Sequence, residues 1–169
     1  MALPKKIKNF NLFVNAVSYA GLVPEVTLPK LTRKTEDYQA GGMQGPVKSN
    51  LGMEGLEMQW TLAGFDRDML AQWGVTTVAG VLLRFAGALQ QDDTGAITAL
   101  EVVVRGYHTE MDPGTAKVGE KTEIKVTSAL SYYKVSMNGV PVIEIDFVNM
   151  VYVVNGEDLA TLERLAIGL

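Results

Sequence analysis

The sequence predicts a mainly β protein, an antiparallel barrel or sandwich with a long protruding hairpin and two short helices. Three observations predict it. Several segments alternate apolar and polar residues with period two, above all LEMQWTLAG from residue 56 and TEIKVTSALSYYKVSMNGVPVIEIDFV from residue 122. The 17 glycines stand mostly singly between apolar stretches, where turns between strands need them. With 169 residues, 47% apolar and 20% charged, the chain is long enough for one cored domain over residues 1–169.

The elements follow in order. NLFV and VSYAG form a strand pair turning at Asn15 and Ala16, and PEVTLPKLTRKTEDY continues extended. Pro24 and Pro29 lack N–H donors, so that segment is edge-like or bulged and not helical. From residue 56, Leu56, Met58, Trp60 and Leu62 point one way, and Glu57, Gln59, Thr61 and Ala63 the other. FDRDMLAQWG changes period. Asp66 caps a short helix, Phe65 packs back over its first turn, Leu70 and Trp73 share a face, and Gly74 stops it.

Strands resume with VLLRFAGAL, the turn-rich QQDDTG and ITALEVVVRGYHTEM. In the last, Leu100, Val102 and Val104 oppose Ala99, Glu101, Val103, Arg105 and Tyr107, so both faces carry apolar residues and one suits a neighbouring molecule. A loop with a Pro113-Gly114 turn follows, then two strands joined by Asn138-Gly139, the pair that best fits a type I′ hairpin. Asn155 is expected to cap a closing amphipathic helix that packs Leu159, Leu162 and Leu165 onto the strands.

Chemistry is sparse. Without cysteine there is no disulfide, thiolate site or cysteine nucleophile. His108, the only histidine, stands at spacings of two from Glu110 and Asp112; a strand sends all three to one side, and a surface or loop-end histidine is expected. No serine lies in a G-x-S-x-G elbow. Glu144 and Asp146 share a strand face that is expected to be solvated. Neither enzyme activity nor a cofactor is expected. A net charge of −4 argues against a basic nucleic-acid-binding face, but not against a passage through which nucleic acid slides. Lys5, Lys6 and Lys8 form the one basic cluster, read as a solvated terminus or a contact for an acidic partner. VTTVAGVLLRFAGAL is too short to span a bilayer as a helix, and the start of the chain lacks a signal-peptide run, so synthesis in the cytoplasm is expected.

Residues 31–51 admit three readings. A phosphate loop fails because Pro46 and Val47 separate Gly45 from Lys48, where G-x-x-x-x-G-K-[ST] requires adjacency. Disorder fits poorly, since Val47, Leu51 and Leu56 resume an apolar pattern. A long hairpin remains. One arm holds Leu31, Thr32, Arg33, Lys34, Thr35, Glu36, Asp37, Tyr38 and Gln39. Ala40, Gly41, Gly42 and Met43 form the turn, with both glycines free to take positive φ, and Gln44, Gly45, Pro46, Val47 and Lys48 begin the return. Such an arm is marginal alone, and is either a mobile surface hairpin or one whose edges pair with neighbouring subunits.

NLFVNAVSYAGLVPEVTLPKLTRKTEDYQAGGMQGPVKSNLGMEGLEMQWTLAGF, with DPG…KVGEKTEIKV, SYYKVSMNG and EIDFVNMVYVVNGEDL, closely resembles the major tail tube proteins of P2-like contractile-tailed bacteriophages. It is equally similar to the tube proteins of R-type bacteriocins, the tailocins derived from such phages. The resemblance implies a small β-barrel or sandwich with a helix at its side. Six copies form a ring, rings stack head to tail, and inner strands merge around a lumen. A sheath surrounds the tube, baseplate and tube-terminator proteins bound it, a tape-measure protein fills the lumen, and DNA passes later in a phage. The place implied is a virion tail or tailocin particle assembled in the bacterial cytoplasm.

The same resemblance makes residues 31–51 an inter-subunit hairpin and residues 157–166 the closing helix. It places Leu12, Phe13, Asp112, Pro113 and Gly114 at ring-to-ring contacts. Residues 76–88 are more apolar than in some relatives. Lumen-facing side chains are expected to be small, polar or acidic, from the hairpin arms and residues 124–146, so that a polyanion slides without being gripped. A tube of a related contractile injection or type VI secretion machine is the alternative, and a ligand-binding β-sandwich is the reading from a different class.

Overall fold

The computed structural model describes residues 3–169; Met1 and Ala2, with which the expected domain begins, lie outside the described residues. The strands are β1 (Lys5–Val14), β2 (Val17–Ser18), β3 (Glu25–Thr27), β4 (Arg33–Tyr38), β5 (Val47–Met53) and β6 (Leu56–Ala63). Helix α1 (Arg67–Ala71) runs into a 3₁₀ turn (Gln72–Gly74). Then come β7 (Val81–Gln91), β8 (Ile97–Asp112), β9 (Glu123–Met137), β10 (Val140–Asp146), β11 (Val151–Val154), β12 (Glu157–Asp158) and α2 (Thr161–Ile167).

Ten strands form one branched antiparallel sheet, while β4 and β5 form a separate two-stranded sheet. The long strands β8 and β9 hold the branched sheet together. One half of each belongs to a leaf ordered β12-β11-β10-β9-β8-β7-β1-β2. The other half belongs to a four-stranded leaf ordered β3-β6-β9-β8, where residues 123–130 of β9 pair with β6. The chain bends between the leaves at register shifts next to Gly106 and between His108 and Glu110. A Cβ on Gly106 would stand 1.9 Å from the Ala129 carbonyl oxygen, so only glycine lets β8 meet β9 this closely.

The core fills the space between the leaves. Leu12 and Val14 of β1, Leu83 and Phe85 of β7, and Val102 and Val104 of β8 meet Leu56, Met58, Trp60 and Leu62 of β6, with Ile124 and Val126 of β9. The alternation expected for β6 is present, with its four apolar residues inward. Asn138 and Gly139 take φ of 49° and 78°, the type I′ geometry expected, and Asn15 and Ala16 turn with φ of 46° and 68°.

The barrel is overturned, because no sheet closes. The strands that would have to join are too short: β2 has two residues, and β3 has three, bracketed by Pro24 and Pro29. What remains is a mainly β, folded, open sheet with a separate hairpin and two short helices.

Both helices differ from expectation in what they bury. Asp66 does cap α1, its Oδ1 accepting from Asp68 N at 3.3 Å, but the buried residue is Met69. Phe65, Leu70 and Trp73 are exposed. Asn155 caps no helix. Asn155 and Gly156, at φ of 50° and 83°, make another two-residue turn between β11 and β12, because the backbone at Asn155 is already committed to the β10–β11 meander. Helix α2 begins at Thr161, has no buried residue and leaves Leu162 81% exposed, so the expected leucine face does not pack on the strands.

Candidate assembly interface

The separate hairpin is open to solvent along its length. β4 and β5 pair Tyr38 with Val47, Asp37 with Lys48 and Glu36 with Ser49, and every residue of both strands except Met53 is exposed. Leu31, Thr32 and Lys34 complete the first arm. Gln39, Gln44, Gly45 and Pro46 flank the turn, where Met43 N donates to Ala40 O at 3.1 Å. Of the two glycines only Gly42 uses positive φ, at 87°, as the third residue of a type II turn requires. At the base Glu54 N donates to Thr32 O at 2.9 Å and extends the hairpin ladder, and the Arg33 guanidinium ties it to the body by donating to Tyr152 OH at 3.2 Å. Between hairpin and body opens a cleft of about 630 Å³, walled by Leu51, Met53, Phe147, Met150, Tyr152 and Leu159.

The stacking candidates divide. Leu12 is fully buried, so its side chain offers core and no contact surface. Phe13 points to the opposite face beneath Arg84, whose guanidinium lies 4.9 Å from the ring centre. Asp112, Pro113 and Gly114 are exposed and open the loop after β8, with Asp112 Oδ1 accepting from Gly114 N at 2.9 Å. The basic cluster is answered within the chain: Lys8 pairs with Asp92 at 2.6 Å, Lys6 reaches the same carboxylate at 4.0 Å, and Lys5 donates to Thr98 Oγ1. The Lys8 hydrogen bond holds the Asp92 carboxyl below its usual range.

His108 is buried, not superficial. Gln72 Oε1 at 3.3 Å accepts from Nε2–H, and Nδ1 accepts the Ser128 hydroxyl at 2.9 Å. Burial depresses its pKa to about 4. The bulge before Glu110 breaks the spacing of two, turning Glu110 and Asp112 outward while the ring stays in. Among the described residues no group of histidines and carboxylates is placed to hold a metal.

The two leaves present different outer surfaces. On the larger leaf, Arg84 pairs with Glu101 at 2.6 Å, Tyr132 OH donates to Glu144 Oε1 at 2.8 Å, and Arg105 lies 5.7 Å from the Tyr132 ring centre. Burial first, then the Glu144 contact, pushes the Tyr132 phenol up to about 12. Glu144 and Asp146 share this face as expected, but Asp146 closes the following turn by accepting from Val148 N and Asn149 N. The four-stranded leaf is predominantly acidic by contrast. Its rows run Glu25–Thr61–Lys125–Asp112 and Thr27–Gln59–Thr127–Glu110, with Glu57 and Glu123 on the same side. Five carboxylates face one lysine.

That leaf also has two free edges. β3 pairs only with β6, and the part of β8 beyond Gly106 pairs only with β9, because β7 ends its ladder at the Val81–Gly106 pair. Sequence patterning marked the hairpin, and the prolines flanking β3 marked that segment as edge-like, but no pattern marked the second edge, on β8 beyond Gly106.

An exposed hairpin and unpaired edges describe a subunit built for assembly. The Phage tail tube protein FII family matches residues 4–168. The chain belongs to this tail tube family. It is 44% identical over 172 residues to the tail tube protein of Escherichia phage P2, covering all of both chains. It is 40% identical to the major tail tube protein of Serratia phage KSP20, covering 94% of this chain and 92% of the relative. Among solved structures, a sheath/tube terminator of an extracellular contractile injection system in its extended state is similar in fold. Its TM-score is 0.59 at 12% identity, over 79% of this chain and 96% of that one. The sheath–tube complex of the same kind of system gives 0.57 at 13%, over 79% and 90%. As a tail tube protein the chain is a structural subunit and not an enzyme, and it belongs to a phage or tailocin tail. No helix among the described residues is long and apolar enough to cross a membrane.

Proposed function

We propose that six copies form each ring of a contractile-tail tube and that the four-stranded leaf of each copy is its share of the lumen wall. The observation that carries the assignment of the leaf to the wall is its even strand count combined with two free edges. Its strands alternate in direction, so β3 of one copy meets β8 of the next antiparallel, and the alternation continues around the ring without a break. Closure removes both edges. The acidic and small polar face then lines the lumen, where it repels DNA phosphates, and the tape-measure protein and later DNA pass without being held. Arg84, Glu101, Lys134 and Glu144 lie on the far side of the core, facing outward to the sheath. The Leu31–Lys48 hairpin arm and the Asp112-Pro113-Gly114 turn serve contacts between subunits, with stacked rings growing as a filament because head-to-tail contacts do not close. Baseplate and tube-terminator proteins bound the tube, which is assembled in the bacterial cytoplasm.

The chain has no cysteine, so single cysteines report location cleanly. In assembled tubes, Gln59→Cys should resist a bulky maleimide that cannot enter the lumen, while Lys134→Cys should react. The reverse pattern would place the other leaf inside and overturn the assignment.

A further inference from the structure

We propose that the cleft beside Trp73 receives residues 28–31 of the next copy in the ring, making it the apolar socket of the subunit junction. This rests on the edge pairing proposed above. The cleft, about 420 Å³, is walled by Trp73, Val75, Thr76 and Val78 on one side and by Tyr107, His108 and Thr109 of β8 on the other. It lies where the chain leads into β7, hence on the side of β8 away from β9. Trp73 is 54% exposed and Val78 55%, an apolar surface nothing in the subunit covers.

Strand direction selects the occupant. Across the leaf, Glu25 is level with Asp112 and Thr27 with Glu110. A neighbouring β3 running antiparallel to β8 therefore brings its next residues level with Gly106 to Thr109, where the cleft opens. Those residues are Leu28, Pro29, Lys30 and Leu31. Pro29 has no N–H to continue the ladder, so the chain leaves the β8 edge there. Leu31, 40% exposed in the lone subunit, supplies an apolar side chain to bury against Trp73. A second copy of this chain thus satisfies the edge and the socket with one continuous segment.

Trp60 and Trp73 are the only tryptophans, and Trp60 is buried at 2% exposure, so intrinsic fluorescence reports the socket. The signal lost in Trp73→Phe isolates Trp73. On tube formation its emission should shift to the blue and its acrylamide quenching should fall to that of Trp60. In a mixture of Leu31→Cys and Thr76→Cys subunits assembled and then treated with a mild thiol oxidant, a disulfide should form between the two variants and none between two Leu31→Cys copies. Tubes visible by electron microscopy in which Trp73 stays quenchable would overturn the socket while leaving the tube reading intact. Protection that arises only when sheath protein is added would overturn it too. Failure of the parent protein to form tubes would overturn both.

Discussion

Gly106 and His108 sit within three residues of each other at the bend, and each makes a demand no sequence pattern announces. Alanine at position 106 would press its Cβ against the Ala129 backbone, which cannot move aside as a side chain would. The Gly106→Ala variant should lose about 3 kcal/mol, read as a lower Tm by several degrees. An unchanged Tm would mean the bend relaxes freely. His108 looked superficial because period two groups it with the carboxylates Glu110 and Asp112, whereas it continues the buried Val102–Val104 face, and the bulge that separates it from Glu110 leaves no mark in composition. Its folded pKa, about 4, lies below the ordinary 6.5. The native state therefore binds fewer protons between those values, so stability is complete above pH 6.5 and falls as pH drops towards 4. The loss should approach about 3 kcal/mol, from 1.36 kcal/mol per unit. As no other histidine exists, His108→Gln should flatten the melting-temperature slope between pH 6.5 and 4. A slope that the substitution leaves unchanged would assign the acid sensitivity elsewhere.

Elements were legible where one face is buried. β6, the β9–β10 hairpin and the Asn138-Gly139 turn could be read directly because period two and turn chemistry agreed with the tertiary packing. The closing segment was misread because Asn155-Gly156 satisfies a cap signature and a hairpin signature equally, and only its pairing with the strand meander decides between them. Likewise the leucines of α2 have helical spacing, yet spacing cannot say whether the apolar face meets its own sheet or another molecule. The β4–β5 hairpin was legible as an arm, and its function rests on what surrounds it. With no core of its own and few ties to the body, it should exchange its amide protons rapidly in the isolated subunit and slowly in the tube. Equal protection in both states would make it an intrinsic part of the fold and remove the case for an assembly role.

For the whole molecule, the departure from a closed barrel and the proposed role share one cause. A subunit that closed its own sheet would have no edges to offer. Here the four-stranded leaf stops short at β3 and at the end of β8, leaving the ladder open for a neighbour. Sequence composition could indicate an acidic protein without chemistry, but the acidic residues that matter come from four strands distant in sequence. Their shared face exists only once the register is set. The direct test is a cryo-electron microscopy reconstruction of the assembled tube at side-chain resolution. In it β3 of each copy should be hydrogen-bonded to β8 of the next beyond Gly106, with Glu57, Gln59 and Lys125 facing the lumen. A lumen lined by Arg84, Lys134 and Glu144, or a wall in which those two edges remain apart, would contradict this arrangement.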